Sequence, residues 1–345
     1  MKKITLRNIA VRKKKAEPEV PSRITNDTVA KHREQILAGG RRFKYPVQYA
    51  RHKLVANAII ISFVSLLLLA ALGFQQLYFA QNSSDFMYRV VQLVPVPVAT
   101  VANEPVRYSD YLVQYRGSEH YLRKYDEVKM ESEDGKRQLE GIKRYALNSA
   151  EMNAYAAKLA RERSITVTSK EIDDEVLAKR NTANGQISQE TYDASTRMLY
   201  GWDQSDYRQA IKMSLLRAKV AFAVDEQAKA KSNKAAELIA AGKDLGAVAQ
   251  ELGEGIAVQS PGLIDSTSSF NGLNVSHVYQ LEQGKVSGEL KSATDSGYYF
   301  VRVTQKTDTQ VNFEFIHIPL TQFNEDFAEL KKSNQIHEFI KVAEQ

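Results

Sequence analysis

The polar and apolar positions of this 345-residue chain divide it sharply. From Leu54 to Phe74 no residue carries a charge, and most are Leu, Ile, Val, Ala or Phe. At about 1.5 Å per residue such a helix spans roughly 30 Å, the thickness of a bilayer core. Its polar members, Asn57, Ser62 and Ser65, are tolerable in a helix whose backbone is satisfied internally. Tyr78 and Phe79 follow where an interfacial aromatic belt sits. A cleaved signal peptide is the rival reading. It fits less well, because the apolar run is longer than the usual h-region of about 7–15 residues and a long basic segment precedes it.

Beyond this run the periodicity is mostly helical. Val98–Ala102 reads as a strand, Asn103-Glu104 as its turn and Pro105-Val106 as a short edge return, with Ser109 capping a helix from Asp110. A charged connecting stretch covers Lys124–Arg137. Met152, Tyr155, Ala156 and Leu159 recur at helical spacing. Thr168-Ser-Lys-Glu171 is a capping box, Ser188 opens a further helix that Gly201 ends, and Ser205 opens one carrying Tyr207, Ile211, Leu215 and Phe222. These stripes read as core. Two more helices, the second capped by Asp244, precede a stretch rich in Gly and Ser. Gly297–Val303 and Val311–Ile318 alternate as strands, and apolar spacing from Phe323 to Ile340 predicts a closing helix.

Charge sets an orientation. Residues 1–53 hold 15 basic and 4 acidic residues, net +11, and the remainder is net −5. Basic flanks stay on the cytoplasmic side, so the expectation is a cytoplasmic N-terminus, a single-pass anchor at Leu54–Phe74 and an extracytoplasmic C-terminal part. The basic tail, largely disordered over residues 1–50 apart from a short helix around Asp27–Leu37, reads as a topology signal, with attraction to membrane lipid as a by-product and no nucleic-acid partner expected. The absence of cysteine excludes disulfides and thiol nucleophiles.

Three segments together resemble the N-terminal chaperone domain of the SurA/PrsA group of extracytoplasmic folding factors. They are Val98–Val106 with Ser109-Asp-Tyr111, Ala157–Asp173, and Tyr200–Ile211 with Leu215–Val220. Residues 232–320 are more distantly similar to a parvulin-type peptidyl-prolyl isomerase domain, through Ala240–Ala249, Leu281–Ser287 and Gly297–Val303. A parvulin opens on a strand bearing a His-Ile-Leu-like motif. Here the similar string, Phe315–Leu320, comes after the domain, so it either begins a truncated second copy or fills the missing strand position in a permuted sheet. The second option is favoured, since a lone terminal strand leaves its neighbours unpaired.

The resemblance implies a single-pass membrane protein with a mostly α-helical chaperone domain and a small α+β parvulin-like domain containing an antiparallel sheet. The expected divisions are a tail over 1–50, the anchor and its flanks over 51–80, the helical domain over 81–230 and the parvulin-like domain over 231–345. Prolyl isomerisation needs an apolar proline pocket and polar groups that let the amide leave planarity against a barrier of about 18–20 kcal/mol. In the parvulin pattern a histidine pair serves this. His317 matches the first histidine, Tyr299 stands at the second, and the Met/Phe pocket positions are not recognisable around Phe270–Val275. The resemblance therefore points to a chaperone of unfolded or newly secreted chains without isomerase activity. An active isomerase and a structural scaffold of an envelope complex are the alternatives. Tyr108, Tyr111, Tyr115 and Tyr121 are the expected peptide contacts, being large and amphipathic.

Other chemistries find no support. Walker, His-Glu-x-x-His and Gly-x-Ser-x-Gly motifs are missing, and the six histidines lack metal spacing. Neither a cofactor nor a metal is expected. The acids Glu171, Asp173, Asp174 and Glu175 sit in the first turns of a helix, where the dipole favours them, and read as a solvated face rather than a calcium site.

Overall fold

The computed structural model describes residues 24–44, 46–125, 130–182, 185–293 and 296–343. The expected disorder of the tail up to residue 23 and the middle of the charged 124–137 stretch fall outside them. The chain divides into two units, Met1–Gly73 and Phe74–Gln345.

The first unit is helical. α1 (Asn26–Lys44) contains the short helix expected at Asp27–Leu37. α2 (Pro46–Phe74) opens on a proline, whose missing N–H costs nothing in a first helical turn. From Lys53 to Phe79 the chain is helical, long enough and apolar enough to cross a membrane, with its side chains outside any protein core over the apolar window.

The second unit starts with a π-helical turn, Gln75–Phe79, and α3 (Asp85–Leu93), whose N-cap Ser84 accepts from Met87 N. Strands β1 (Pro97–Val101) and β2 (Glu104–Arg107) form a hairpin. Its turn is Ala102-Asn103, both at positive φ as a type I′ turn demands, one residue earlier than the sequence pattern suggests. A helical array follows: α4 (Tyr108–Tyr125), α5 (Glu133–Glu162), α6 (Ser169–Lys179), α7 (Gln189–Tyr200) and α8 (Gln204–Val224). A small hairpin, β3 (Asn181–Thr182) with β4 (Gly185–Gln186), separates α6 from α7. The capping box at Thr168/Glu171, the Ser188 cap and the left-handed Gly201 are all present. α8 is capped by Asp203 rather than Ser205, because the Asp203 carboxylate accepts from both Ser205 N and Asp206 N. α4 begins at Tyr108, one turn-residue ahead of the expected Ser109 cap.

α9 (Glu226–Ala240) and α10 (Leu245–Leu252), the latter capped by Asp244, lead into the sheet. The short strands β5 (Val258–Gln259), β6 (Ile264–Asp265), β7 (Ser269–Phe270) and β8 (Leu273–Asn274) and the helix α11 (Val275–Gln280) precede β9 (Leu290–Ser292), β10 (Gly297–Lys306) and β11 (Gln310–Pro319). β10 and β11 pair antiparallel as expected, with Tyr299 opposite His317 and Val301 opposite Phe315. The sheet order is β5-β11-β10-β9, and β6 also pairs with β11. The last long strand is therefore interior, not an edge.

Both sheet faces are apolar. Tyr298, Phe300, Ile316 and Ile318 join the main core with Ala235, Leu245 and Val248 of the two preceding helices. Tyr299, Val301, Phe313 and Phe315 pack instead under Phe270, Leu273, Val275 and Val278. The closing helix does not cover this face. α12 (Gln322–Lys332) ends early, and its Phe323 and Phe327 lie 5.4 Å and 6.2 Å from the Tyr155 ring of α5. Ile336–Glu338, expected to be helical, forms strand β12 against β1. Asn334, at φ +55, turns the chain between them.

One carboxylate ties these parts together. Asp225, 3 % exposed, caps α9 by accepting from Ala228 N at 2.8 Å. Its other oxygen accepts from Thr321 N at 2.8 Å and Gln322 N at 3.2 Å, at the start of α12. Asp225→Ala should cost about 2–4 kcal/mol, since two caps are lost in a buried place, and Asp225→Asn less. Thermal melts of both variants in detergent check the order and size of the losses.

A second buried carboxylate gives a pH signature. Glu151 of α5 is fully buried, its oxygens have no hydrogen-bond partner among the described residues, and Lys331 Nζ lies 4.0 Å away. Burial, with the Glu338 carboxylate nearby, raises its pKa to about 7, against the pull of Lys331 and Arg144. The folded state thus holds a proton that the unfolded state releases near pH 4.5. Its contribution is complete below that pH and is lost as pH rises through about 7, an effect of up to about 3 kcal/mol. Glu151→Gln should flatten the dependence of Tm on pH between 5 and 8 and be the more stable protein at pH 8; melts across that range test it.

Candidate functional site

α5 is the spine of the second unit, and its two sides are treated differently. Ala146, Leu147, Ala150 and Ala156 are buried. A neighbouring stripe, Gln138, Gly141, Ile142, Tyr145, Ser149 and Met152, faces open space. Three cavities of about 790, 600 and 430 Å³ lie along this stripe, and Tyr145 lines all three. Ser118 and Tyr200 are shared by the first and second, and Lys179, Ser149, Ser214 and Arg217 by the second and third. The three form one trough. It begins between α4 and α5, passes between α7 and α8, and ends beside Ala293, Ser296 and Phe323, where the helical array meets the sheet.

The walls are aromatic and largely uncharged. Tyr121 and Tyr200 stack at 6.1 Å, and Tyr200 continues to Trp202 at 5.0 Å. Tyr192 meets Tyr207 edge-on at 5.2 Å. Tyr145 is 63 % exposed, an unusual state for a tyrosine in the middle of a 30-residue helix. Trp202 is held by its Nε1–H, which donates to Val113 O at 3.0 Å, and its ring lies over Gly117 of α4. The carbonyl of Met198 accepts from His120, Lys124 and Tyr125 of α4, which fixes the end of α7 to that helix. Aromatic faces with polar tips suit an extended polypeptide, which offers both apolar side chains and backbone amides.

Of the tyrosines expected to contact peptide, the trough contains Tyr121 alone. Tyr108, Tyr111 and Tyr115 are core residues, 0 %, 2 % and 6 % exposed. The burial of these three has a simple cause. Positions 108, 111, 115 and 122 share one helical face, which is the buried one, and Tyr121 is rotated about 100° away from Leu122. The Tyr108 hydroxyl donates to Leu77 O at 2.7 Å, and its ring meets Tyr78 and Tyr111 edge-on. Burial pushes the Tyr108, Tyr111 and Tyr115 phenols well above their ordinary range.

The other expected pair does come together. Tyr299 and His317 are direct cross-strand neighbours, and their rings stack at 4.4 Å with planes 17° apart. Gly297 makes room for this, since a Cβ there would collide with the His317 ring. Tyr299 is fully buried, and Asn271 Nδ2 donates to its hydroxyl at 3.3 Å. Phe270 packs edge-on against Phe313 and Phe315 beside it. The two are thus stacked cross-strand partners, Tyr299 within an apolar cluster and His317 partly exposed.

The acidic cluster of α6 is engaged in ion pairs. Glu171 bonds Lys219 as well as its capping box, Asp173 meets Arg208, Asp174 meets Lys170 and Glu175 meets Lys179. Among the described residues no group of three metal-type ligands occurs.

The family model of the SurA-like N-terminal domain matches residues 45–221, just over half of the chain. That span includes most of the trough wall. Neither a curated protein nor a solved structure matches.

The trough has an internal reporter, because Trp202 is the chain's single tryptophan. A Cβ at Gly117 would stand 2.7 Å from its indole nitrogen. Gly117→Ala gains helix propensity of about 1 kcal/mol yet must displace the ring, so the net effect should be destabilising by about 1–3 kcal/mol. The emission of Trp202 should shift to the red at the same time; an unchanged spectrum would show that the indole is not seated on Gly117.

Proposed function

The chain belongs to the SurA-like N-terminal domain family, and from that premise we propose that it is a membrane-anchored chaperone holding unfolded polypeptide in the aromatic trough along α5. The observation that carries the reading is the trough itself: adjoining open cavities that share Ser118, Tyr145 and Tyr200, their first two lined wholly by residues of the span that matches the family. The proposed anchor is the 53–79 helix, with the basic tail inside and the second unit outside the cytoplasm. The length and composition of that helix and the charge contrast across it support this arrangement.

The sheet region is proposed to be a permuted parvulin-like domain that has no isomerase activity. Its support is the position of β11, which bears the His-Ile-Pro string and lies inside the sheet between β5 and β10. The proposed inactivity is supported by the burial of Tyr299 in an apolar cluster with Phe270, Leu273, Val275 and Val278.

The test uses the full chain in nanodiscs. A stoichiometric excess should suppress aggregation of several unrelated unfolded proteins and change Trp202 emission on binding them. The Tyr145→Ala/Tyr200→Ala double variant should fold but lose most of the suppression, since each aromatic contact is worth about 1–3 kcal/mol. Proline-peptide isomerisation should run at the uncatalysed rate. An acceleration abolished by His317→Ala would reverse the inactive assignment. Recovery of a single stoichiometric folded partner from membranes would favour an envelope scaffold instead.

A further inference from the structure

Among the described residues, Arg217 is the charged side chain of the trough wall that no ion pair compensates. It lies on α8 at the junction of the 600 and 430 Å³ cavities. Among the described residues no carboxylate pairs with it; its Nη1 donates to Asn153 Oδ1 at 3.4 Å, a long bond to a neutral amide. The nearby Lys179 is paired with Glu175 at 3.2 Å, so it does not compete for an incoming anion. Burial pushes the Arg217 guanidinium below its ordinary pKa, with the Tyr145 ring hydroxyl as its neighbour. A half-buried guanidinium without a counter-ion has given up hydration and received little for it. A carboxylate laid across its fork restores that loss through two parallel charge-assisted hydrogen bonds.

We propose that the trough selects extended client segments in which an internal Asp or Glu follows or precedes an aromatic residue, the carboxylate docking on Arg217 and the ring on the Tyr145–Tyr200–Trp202 wall. The proposal rests on the trough being the polypeptide site. An internal side chain is favoured over a chain-terminal carboxylate by position: open trough continues on both sides of Arg217, toward Tyr121 in one direction and toward Phe323 in the other. A chain must therefore pass Arg217 rather than stop there. Ser149 and Ser214 flank the guanidinium, and these small hydroxyl side chains leave room for a backbone to approach it.

The experiment measures fluorescence anisotropy of labelled, unstructured peptides with the full chain in nanodiscs of neutral lipid. Three amide-capped or free peptides are compared: one with two aromatic residues and an internal Glu, the same with Gln in its place, and the Gln peptide with a free C-terminal carboxylate placed where the Glu was. The wild-type protein should bind the internal-Glu peptide about tenfold more tightly than the Gln peptide, equivalent to about 1.4 kcal/mol. In Arg217→Gln that preference should vanish, the Glu and Gln peptides then binding equally. Arg217→Lys should keep only part of it, because a point charge cannot offer the fork. Thermal melts verify that each variant is folded. Since the coupling is read between two peptides on one protein, a general loss of stability cannot mimic it. Equal binding of Glu and Gln peptides by the wild type would overturn the Arg217 assignment and leave the trough reading standing. Tightest binding of the free C-terminal peptide would overturn the internal-carboxylate assignment. Failure of all three peptides to bind would overturn the trough reading and this one with it.

Discussion

The architecture of the second unit depends on the buried carboxylate of Asp225. It stands at the joint between α8 and α9, where the helical array gives way to the helices that cover the sheet, and it also receives the first two amides of the chain that leaves the sheet at α12. One side chain thus fixes the entry to the sheet region and the exit from it. Helix N-termini carry unsatisfied N–H groups and partial positive charge, so a shared anion stabilises both while cancelling part of their mutual repulsion. With the exit pinned there, Phe323 and Phe327 fall on Tyr155, and the following residues reach β1 to add β12. Arg144 of α5 then holds the returning segment through Glu338 and the carbonyl of Val342. The sheet region is clamped to the helical array from both of its ends.

That clamp has consequences for the spine helix. α5 must meet the returning C-terminal segment on one side, and it pays for this with Glu151, a carboxylate enclosed without a hydrogen-bond donor among the described residues. On another side the helix borders open cavities, and there the group without an ion-pair partner among the described residues is a cation, Arg217 of the facing helix. Both are buried charges lacking a full partner, but their settings differ. Glu151 is sealed, so its discomfort is resolved by taking up a proton. Arg217 adjoins open space, where an incoming anion can resolve it instead. Solvent access, not charge, separates a structural compromise from a candidate binding group.

Much of the fold is legible in the sequence where local chemistry decides the outcome. The Thr168 capping box, the Ser188 and Asp244 caps, the Gly201 stop and the pairing of two alternating β-rich runs are each written in residues a few positions apart. Errors arise where distant parts intervene. Ile336–Glu338 has helical spacing together with Phe339 and Ile340, yet it becomes a strand because β1 offers an open edge. The tyrosines of α4 illustrate the same limit for the site. Large amphipathic rings at positions 108, 111 and 115 look equally suited to a core or a surface, and only the packing of β1, α5 and the 75–79 turn sends them inward. The trough residues were hidden for the opposite reason. Tyr145 is far in the chain from Tyr200 and Trp202, and the opening left along the α5 stripe among the described residues is a property of the assembled helices. The one local signal was the run of Gln138, Gly141, Tyr145 and Ser149, too polar at helical spacing for a core face and too aromatic for an ordinary solvent face.

The two candidate sites differ in a way that bears on what each can do. Tyr299 of the stacked pair lies in a packed apolar cluster with Phe270, Leu273, Val275 and Val278, so reaching its ring requires opening that layer at a cost of several kcal/mol, while His317 keeps partial exposure. The α5 trough needs no opening. A ring entering it buries on the order of 150–250 Å² of surface, worth about 4–6 kcal/mol before the entropy of ordering the client is subtracted. Two or three such contacts leave a net affinity near the micromolar range. Binding of that strength holds a chain briefly and releases it without an energy source, which suits a protein proposed to be fixed beside a membrane, where nearby clients are concentrated by tethering rather than by tight binding.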